Sequence, residues 1–273
     1  MFALDPAMPV LARPDGAVQV GWDPRRAVLV RPPSGLSIGG LVAVLRDLAT
    51  PMSRAEVQQR AGPGFDAVLD ELLGSGVLRR VVPVGGAALS IRVHGCGPLS
   101  ELLTQGLRRS GARVGRSGRT NATGAPAGVD LVVLADSLGA DPRLLRDLHA
   151  ARVPHLPVRV RDGAGLVGPL VIPGVTSCLA CADLHRTDRD SAWPALAAQL
   201  REMIGSADRP TLLATAALAL SQLQRIIAAV RGGPAGDPPS TLNTTWEVDV
   251  ATHAIRARRW PRHPLCGCWR RQE

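Results

Sequence analysis

Four of the five cysteines form two close pairs, and this feature constrains the fold more than any other. Two residues separate Cys178 from Cys181, one residue separates Cys266 from Cys268, and a long stretch of chain lies between the pairs. Two thiolate pairs that a fold brings together make a tetrahedral four-sulfur site, which suits zinc. Four sulfur ligands leave no position open for a substrate, so we expect a structural zinc ion that holds the C-terminal segment in place.

Three other uses of these thiols remain open at this stage. They are two disulfides, a C-x-x-C redox motif, and buried thiols without a ligand. A disulfide within the second pair would close a very tight ring of poor geometry. His263 lies three residues before Cys266, and we expect it outside the ligand set, as a partner of a ligand or with no role at the metal.

The cysteine pattern is also typical of a reducing compartment. The first residues lack the basic start and apolar run of a signal peptide, so we expect a cytoplasmic location.

The chain contains no lysine, so arginine supplies all 32 basic residues of its net charge of +9. Such a charge suits nucleic acid or an acidic partner. Because the arginines are scattered, a solvated surface is the better interpretation and nucleic acid is not the expected partner.

Residues 1–83 predict a small α+β module with the layout of a winged helix. Turn signals divide the first part into three short strands, and helical spacing of apolar residues follows. Ser53 and Glu56 form a capping box at the start of the second of three helices. The predicted elements are strands 9–13, 17–22 and 26–31, helices 36–48, from 53, and 64–76, and a closing strand 77–82.

After a linker at residues 84–88, residues 89–273 predict a Rossmann-like α/β domain. A strand at 89–93 runs into a turn with Gly95 and Gly97, and a helix at 99–110 follows. A glycine turn at a helix N-terminus is typical of nucleotide binding, although Ser100 stands where the third glycine would be. Asp136 follows an unbroken apolar strand at 129–135, at the edge where ligands bind in parallel sheets.

The rest of this domain reads as alternating helices and strands. We expect a helix at 142–151, strands at 155–160 and 168–173, and a loop at 120–128. Residues 211–230 are nearly long and apolar enough to span a bilayer, but Gln222, Gln224 and Arg225 interrupt them. A buried or dimer-forming helix is therefore the better prediction for this segment.

The layout of residues 1–83, including the ending LLGSGVLRR, resembles the PqqD-like precursor-recognition element of peptide-natural-product pathways. This resemblance implies that a leader peptide adds as a strand beside residues 26–31 and packs against the third helix. The implied peptide-binding residues are Val28, Val30, Phe65, Leu69 and Leu72. A plain winged-helix module for dimerisation or DNA binding is the alternative.

Residues 89–268 are similar to the ThiF/MoeB family of ubiquitin-activating-enzyme-like proteins. The similarity rests on the glycine turn, the run GPLVIPGVTSCLACADLHR, the long helix, two strands and the second cysteine pair. It is closest to members that are fused to a precursor-recognition element and associated with thiazole/oxazole-modified peptides. That resemblance implies a cyclodehydratase partner, a zinc site formed by the four cysteines, and a homodimer paired through the long helix.

Active members of the family adenylate a carboxyl terminus. The resemblance implies which residues of this chain would serve that reaction. Gly95 and Gly97 match the phosphate loop, and Asp136 matches the magnesium aspartate. The ribose acid and the lysine are missing. A nucleophilic cysteine is also missing from its expected place, because Cys96 lies inside the glycine turn. We therefore expect a non-catalytic relative with a vestigial ATP and magnesium site. The alternatives are an ATP-dependent adenylyltransferase and a DNA-binding regulator.

Overall fold

The computed structural model describes residues 1–81, 88–118, 128–230 and 238–269. The predicted linker therefore lies outside the described residues except for Ala88, and so does the predicted loop at 120–128 except for Gly128. The chain divides into two compact units, with the boundary between residues 85 and 86.

The described part of the first unit contains five short strands and three helices. They are β1 (Phe2–Leu4), β2 (Val10–Ala12), β3 (Val18–Val20), β4 (Val28–Val30), α1 (Ile38–Asp47), α2 (Arg54–Ala61), α3 (Asp66–Gly74) and β5 (Leu78–Arg80). The first sheet has the antiparallel order β2-β3-β4, and β1 pairs with β5 in a second sheet. Each predicted strand and helix overlaps an observed one, while β1 was not predicted.

Local sequence explains where these helices begin. The Ser37 hydroxyl accepts a hydrogen bond from the Gly40 amide at the start of α1. At the start of α2, Ser53 accepts from the Glu56 amide and the Glu56 carboxylate accepts from the Ser53 amide. Each pair satisfies amides that have no partner inside the helix. The helices and both sheets then bury one apolar core, in which Phe65 is fully enclosed.

The second unit is built on one large sheet. Its described elements are β6 (Ser90–His94), α4 (Pro98–Arg109), β7 (Arg113–Ser117), β8 (Leu131–Ala135), α5 (Pro142–Ala150), β9 (His155–Arg161), β10 (Ala164–Val167), α6 (Leu179–Thr187), α7 (Trp193–Leu200), α8 (Arg209–Val230), β11 (Thr244–Asp249) and β12 (Ala254–Arg259). The strand order is β12-β11-β10-β9-β8-β6-β7. Strands β7, β6, β8 and β9 are parallel, and β9 to β12 pair antiparallel.

The parallel half of this sheet has the strand order β7-β6-β8-β9 and belongs to a mixed α/β fold, as expected. All five residues of β8 are buried, as an unbroken apolar run in a covered parallel sheet requires. Helix α4 packs against α8, and Gly106 makes their close approach possible. A Cβ atom at Gly106 would lie 2.4 Å from the Leu220 side chain.

The prediction of a strand at 168–173 is wrong. The strand in this region is β10, which ends at Val167. Beyond it, Gly168 has a φ of 95°, a backbone conformation that favours glycine, and Pro169 has no amide hydrogen to donate. Leu170 and Val171 make only isolated bridges, so the ladder ends before the predicted strand begins.

Helix α8 is the one described helix that is long and apolar enough to cross a membrane by length and composition. A core helix passes the same test, so this property alone is weak evidence. Its buried face, which includes Leu223, Ile226 and Ile227, belongs to the main core of the second unit. This packing fits the prediction of a buried helix.

Candidate functional site

The four paired cysteines lie together as a cluster of sulfur atoms. The Sγ atom of Cys178 is 3.8 Å from that of Cys181 and 3.6 Å from that of Cys266. The Sγ atoms of Cys181 and Cys268 are 3.5 Å apart. Two sulfurs bound tetrahedrally to one zinc ion lie about 3.8 Å apart, since each Zn–S bond is about 2.3 Å long. The four sulfurs are therefore spaced to bind a metal ion.

The two pairs come from structures far apart in the chain. Cys178 is the residue that precedes the first turn of α6, and Cys181 lies within that turn. Cys266 and Cys268 lie at the last described turn of the chain, where a 3-10 segment spans Gly267–Trp269. All five cysteines are free, so the two-disulfide alternative does not hold in this structure.

The pKa values of these thiols shift in opposite directions, because hydrogen bonds lower the pKa of Cys181 while burial acts on its neighbours. Burial raises the pKa of Cys178 above its ordinary range, and burial raises the pKa of Cys268 to about 12. Buried thiols of this kind stay neutral unless a positive charge compensates the thiolate. A divalent metal ion supplies that charge and displaces the protons.

His263 orients the segment that carries the second cysteine pair. Its Nδ1 accepts a hydrogen bond from the Leu265 amide at 3.1 Å, so Nε2 carries the proton and donates to the Asp188 carboxylate at 2.9 Å. Its carbonyl oxygen accepts from the Cys266 amide at 3.0 Å. His185, Asp188 and His263 are close enough to hold a metal ion as a set. However, the proton on Nε2 makes His263 a partner of the cysteine turn rather than a ligand.

The glycine turn between β6 and α4 lies against Asp136. One carboxylate oxygen of Asp136 accepts from the Gly97 amide at 2.7 Å, and the other accepts from the Leu99 amide at 2.9 Å. The Ser100 amide lies 3.3 Å from the carboxylate. Pro98 has no amide hydrogen. The free amides of the first turn of α4, which would make an anion site, are therefore directed at the protein's own carboxylate.

The two glycines of this turn are required by Asp136 itself. A Cβ atom at Gly95 would lie 2.7 Å from an Asp136 oxygen, and one at Gly97 would lie 2.8 Å from the carboxyl carbon. Asp136 is 1% exposed and has a φ of 70°, a conformation that aspartate tolerates better than most residues. The structure thus brings the predicted site residues Gly95, Gly97 and Asp136 into direct contact with each other.

The neighbouring strand end carries no acid. Ser117 ends β7, where the ribose carboxylate of the family would lie, and its hydroxyl is 3.0 Å from Nδ1 of His94 at the end of β6. Burial lowers the pKa of His94 below its ordinary value, so the ring is neutral near pH 7. Cys96, inside the glycine turn, is exposed.

The predicted peptide-binding residues of the first unit divide into two groups. Val28 and Val30 lie on β4, an edge strand of its three-stranded sheet, with Val28 half-buried and Val30 buried. Phe65, Leu69 and Leu72 are fully enclosed in the core of their own unit. In this structure these three side chains pack inside the apolar core, so they are not available to a peptide.

Comparison with known proteins gives structural matches only. No protein-family model matches the chain, and the search of curated proteins finds no relative. A heterocyclase in complex with substrate and cofactor has a TM-score of 0.68 at 16% identity, over 98% of this chain and 39% of the heterocyclase. The heterocyclase TruD gives 0.65 at 17%, over 98% and 42%. E. coli MccB with ATP gives 0.58 at 14%, over 98% and 99%.

At these identities the likeness shows the fold. The chain spans about two fifths of the length of the heterocyclases and nearly the whole of MccB. It therefore has a mixed α/β fold shared with heterocyclases and with MccB, as the resemblance to the ThiF/MoeB family implied.

Proposed function

We propose that this chain is a non-catalytic activating-enzyme-like protein that binds a precursor peptide and docks a modifying enzyme in modified-peptide biosynthesis. The observation that carries the proposal is the extent of the structural likeness, since it covers 98% of the chain and so includes the first unit. MccB has been solved with MccA as well as with ATP, and the heterocyclase was solved with its substrate. We infer a leader peptide and a cyclodehydratase-like enzyme as the partners of this chain.

The non-catalytic part of the proposal rests on Asp136. A nucleotide phosphate bound at the glycine turn would need the amides of Gly97, Leu99 and Ser100, which already face the Asp136 carboxylate. The phosphate would also lie against a like charge. The missing lysine and the serine at the end of β7 remove two further groups that adenylation uses. Binding of ATP and magnesium at this turn is therefore disfavoured, and the proposed role is recognition.

The proposed peptide site is the open edge of β4. Among the described strands, β4 pairs with β3 alone, so a peptide strand could pair with its other edge and cover Leu29, which is 50% exposed. Leu11 on β2 provides a matched control, because β2 is the opposite edge of the same sheet and Leu11 is 41% exposed. Both leucines flank Gln19 of β3 on the outer face of the sheet.

Leu29→Asp is expected to weaken leader-peptide binding about five- to tenfold, since it removes a cross-strand apolar contact. Leu11→Asp is expected to change the affinity less than twofold. Fluorescence anisotropy with labelled precursor peptides encoded by neighbouring genes measures both affinities, and circular dichroism checks that each variant is folded. Equal losses in the two variants, or no binding of any such peptide to the parent chain, would refute the β4 site.

The second candidate function is an ATP-dependent adenylyltransferase of the ThiF type. The MccB–ATP structure and the proximity of Gly95, Gly97 and Asp136 favour it. Our proposal predicts no peptide-dependent exchange of radiolabelled pyrophosphate into ATP. The assay is run with the zinc-loaded full chain, with and without precursor peptide and with magnesium. Exchange that rises on addition of peptide would establish the enzyme instead.

Three further parts of the proposal concern the state of the protein. Zinc is the metal we propose at the four cysteines, because an all-sulfur tetrahedral site suits it. Two copies pair through the outer face of α8, on which Leu213 is 45% exposed. The chain acts in the cytoplasm, where free thiols are maintained.

A further inference from the structure

A cavity in the second unit concentrates positive charge. Its volume is about 460 Å³, and α6, α7 and strands β9, β10 and β12 contribute to its walls. Six arginines line it, and we call it the arginine pocket: Arg159, Arg161, Arg186, Arg189, Arg201 and Arg258. The acidic residues in the wall are Asp162, Asp183 and Asp190, so three positive charges are in excess.

Only part of this charge is neutralised by the protein. Arg161 pairs with Glu247 at 2.8 Å and Arg186 pairs with Asp183 at 2.9 Å. Arg159 donates to the Leu138 carbonyl oxygen at 3.0 Å. Within the described part of the chain, no carboxylate lies within ion-pair distance of the other three arginines or of Arg159. Four guanidinium groups therefore share one cavity without a paired anion.

The local electrostatics show the strain of this arrangement. Burial, followed by the nearby charge of Arg186, lowers the pKa of Arg159 to about 10, although Asp183 acts in the opposite direction. Burial, followed by the charges of Arg189, Arg186 and Arg161, also lowers the pKa of Arg258. Like charges held in one cavity destabilise one another, and an anion placed among them would remove that cost. Solvent screens the repulsion at Arg161, Arg189 and Arg258, which are exposed, so the cost falls mainly on the less exposed Arg159 and Arg186.

Two tryptophan rings contact two of the six guanidinium groups, those of Arg186 and Arg258. The Trp260 ring is 4% exposed, and its centroid lies 4.2 Å from the guanidinium of Arg258 and 4.6 Å from that of Arg186. The Trp193 ring lies 4.9 Å from Arg186 on another side, and its Nε1 donates to Asp183 at 3.1 Å. Guanidinium planes stacked on aromatic rings lose little further freedom when they bind an oxyanion.

From this geometry we propose that the arginine pocket binds a small phosphate-bearing anion. Its volume lies in the range of small-molecule sites, and guanidinium groups match the oxygens of a phosphate in pairs. A phosphate group carries up to two negative charges, which suits the excess in the wall. Neither Gly95, Gly97 nor Asp136 lines this pocket, and the site does not depend on the proposed role in peptide recognition.

Pyrophosphate is the probe, and isothermal calorimetry with the zinc-loaded full chain is the measurement. We expect binding with a Kd below about 1 mM at 0.15 M salt. Arg258→Gln is expected to weaken it about tenfold, as loss of a paired guanidinium contact does. Arg256→Gln is the matched control, because it removes the same charge from the same strand but does not line the pocket. It is expected to change Kd less than twofold.

Three results would overturn the site. The first is no heat and no rise in melting temperature beyond that given by sodium chloride at equal ionic strength. The second is an equal loss of affinity in Arg256→Gln and Arg258→Gln, which would indicate diffuse attraction to a basic surface. The third is binding of citrate without binding of pyrophosphate or inorganic phosphate, which would assign the pocket to carboxylates. A tenfold effect confined to Arg258→Gln, with phosphate ligands preferred, supports the proposal.

Discussion

Cys178→Ser is expected to abolish metal binding and to lower the stability of the second unit by about 4 kcal/mol. That figure is the stabilisation a ligand gives at a thousand times its Kd, and structural zinc sites reach it readily. The loss arises because Cys178 lies within 3.8 Å of two other sulfurs, so no other residue replaces it. Native mass spectrometry measures the metal content, and urea unfolding measures the stability.

Tryptophan fluorescence is a suitable signal for this unfolding. Four of the five tryptophans lie in the second unit, and Trp22 of the first unit is 82% exposed. Cys96→Ser is the matched control, because Cys96 is exposed and outside the cluster. We expect it to leave metal content and stability unchanged. A parent chain that contains no metal, or one that unfolds at the same urea concentration after chelation, would contradict the structural metal site.

Asp136→Ala is expected to destabilise the second unit by about 3 kcal/mol. The carboxylate accepts hydrogen bonds from the buried amides of Leu99 and Ser100 and from Gly97, and bonds to a charged group contribute about 1.5–3 kcal/mol. Alanine is also disfavoured at a φ of 70°, by about 1 kcal/mol. Asp136→Asn keeps an acceptor and tolerates this backbone, so we expect roughly half the loss. Urea unfolding measures both variants.

A double-mutant cycle with Gly97 tests the contact between the glycine turn and Asp136. Gly97→Ala in the parent chain places a Cβ atom 2.8 Å from the Asp136 carboxyl carbon, so it is expected to be strongly destabilising. In the Asp136→Ala background the carboxylate is absent, and Gly97→Ala should cost distinctly less. Additive effects would show that the two residues do not constrain each other and would contradict the contact described here.

The parts of this molecule that follow local rules were predictable from the sequence. The capping box at Ser53, the apolar run of β8 and the two cysteine motifs each contain their signal within a few residues. The cysteines were the most predictive of these signals, because few arrangements satisfy two closely spaced thiol pairs. Their spatial proximity across 88 residues followed from that chemistry and not from any local pattern.

The features that were missed depend on side-chain direction or on distant partners. The sequence placed Asp136 at the end of a buried strand, at the edge where ligands bind. Only the structure shows its carboxylate turned into the amides of α4, 37 residues away. The arginines looked scattered because those of the pocket come from β9, α6, α7 and β12 regions, and the fold assembles them. Strand β1 has three residues and pairs with β5 near residue 80, so no local pattern identifies it.

The two edge strands of the large sheet carry charged side chains that bear on self-association. Strand β12 at one margin carries Arg256, Arg258 and Arg259, and β7 at the other carries Arg113 and Arg116, all exposed. Charged side chains on an edge strand discourage another chain from extending the sheet, so arginine protects both margins against aggregation. The edge strand β4, Val28–Val30, has no such charge within it. Charge therefore disfavours pairing of an incoming extended segment with the large sheet and does not disfavour its pairing with β4.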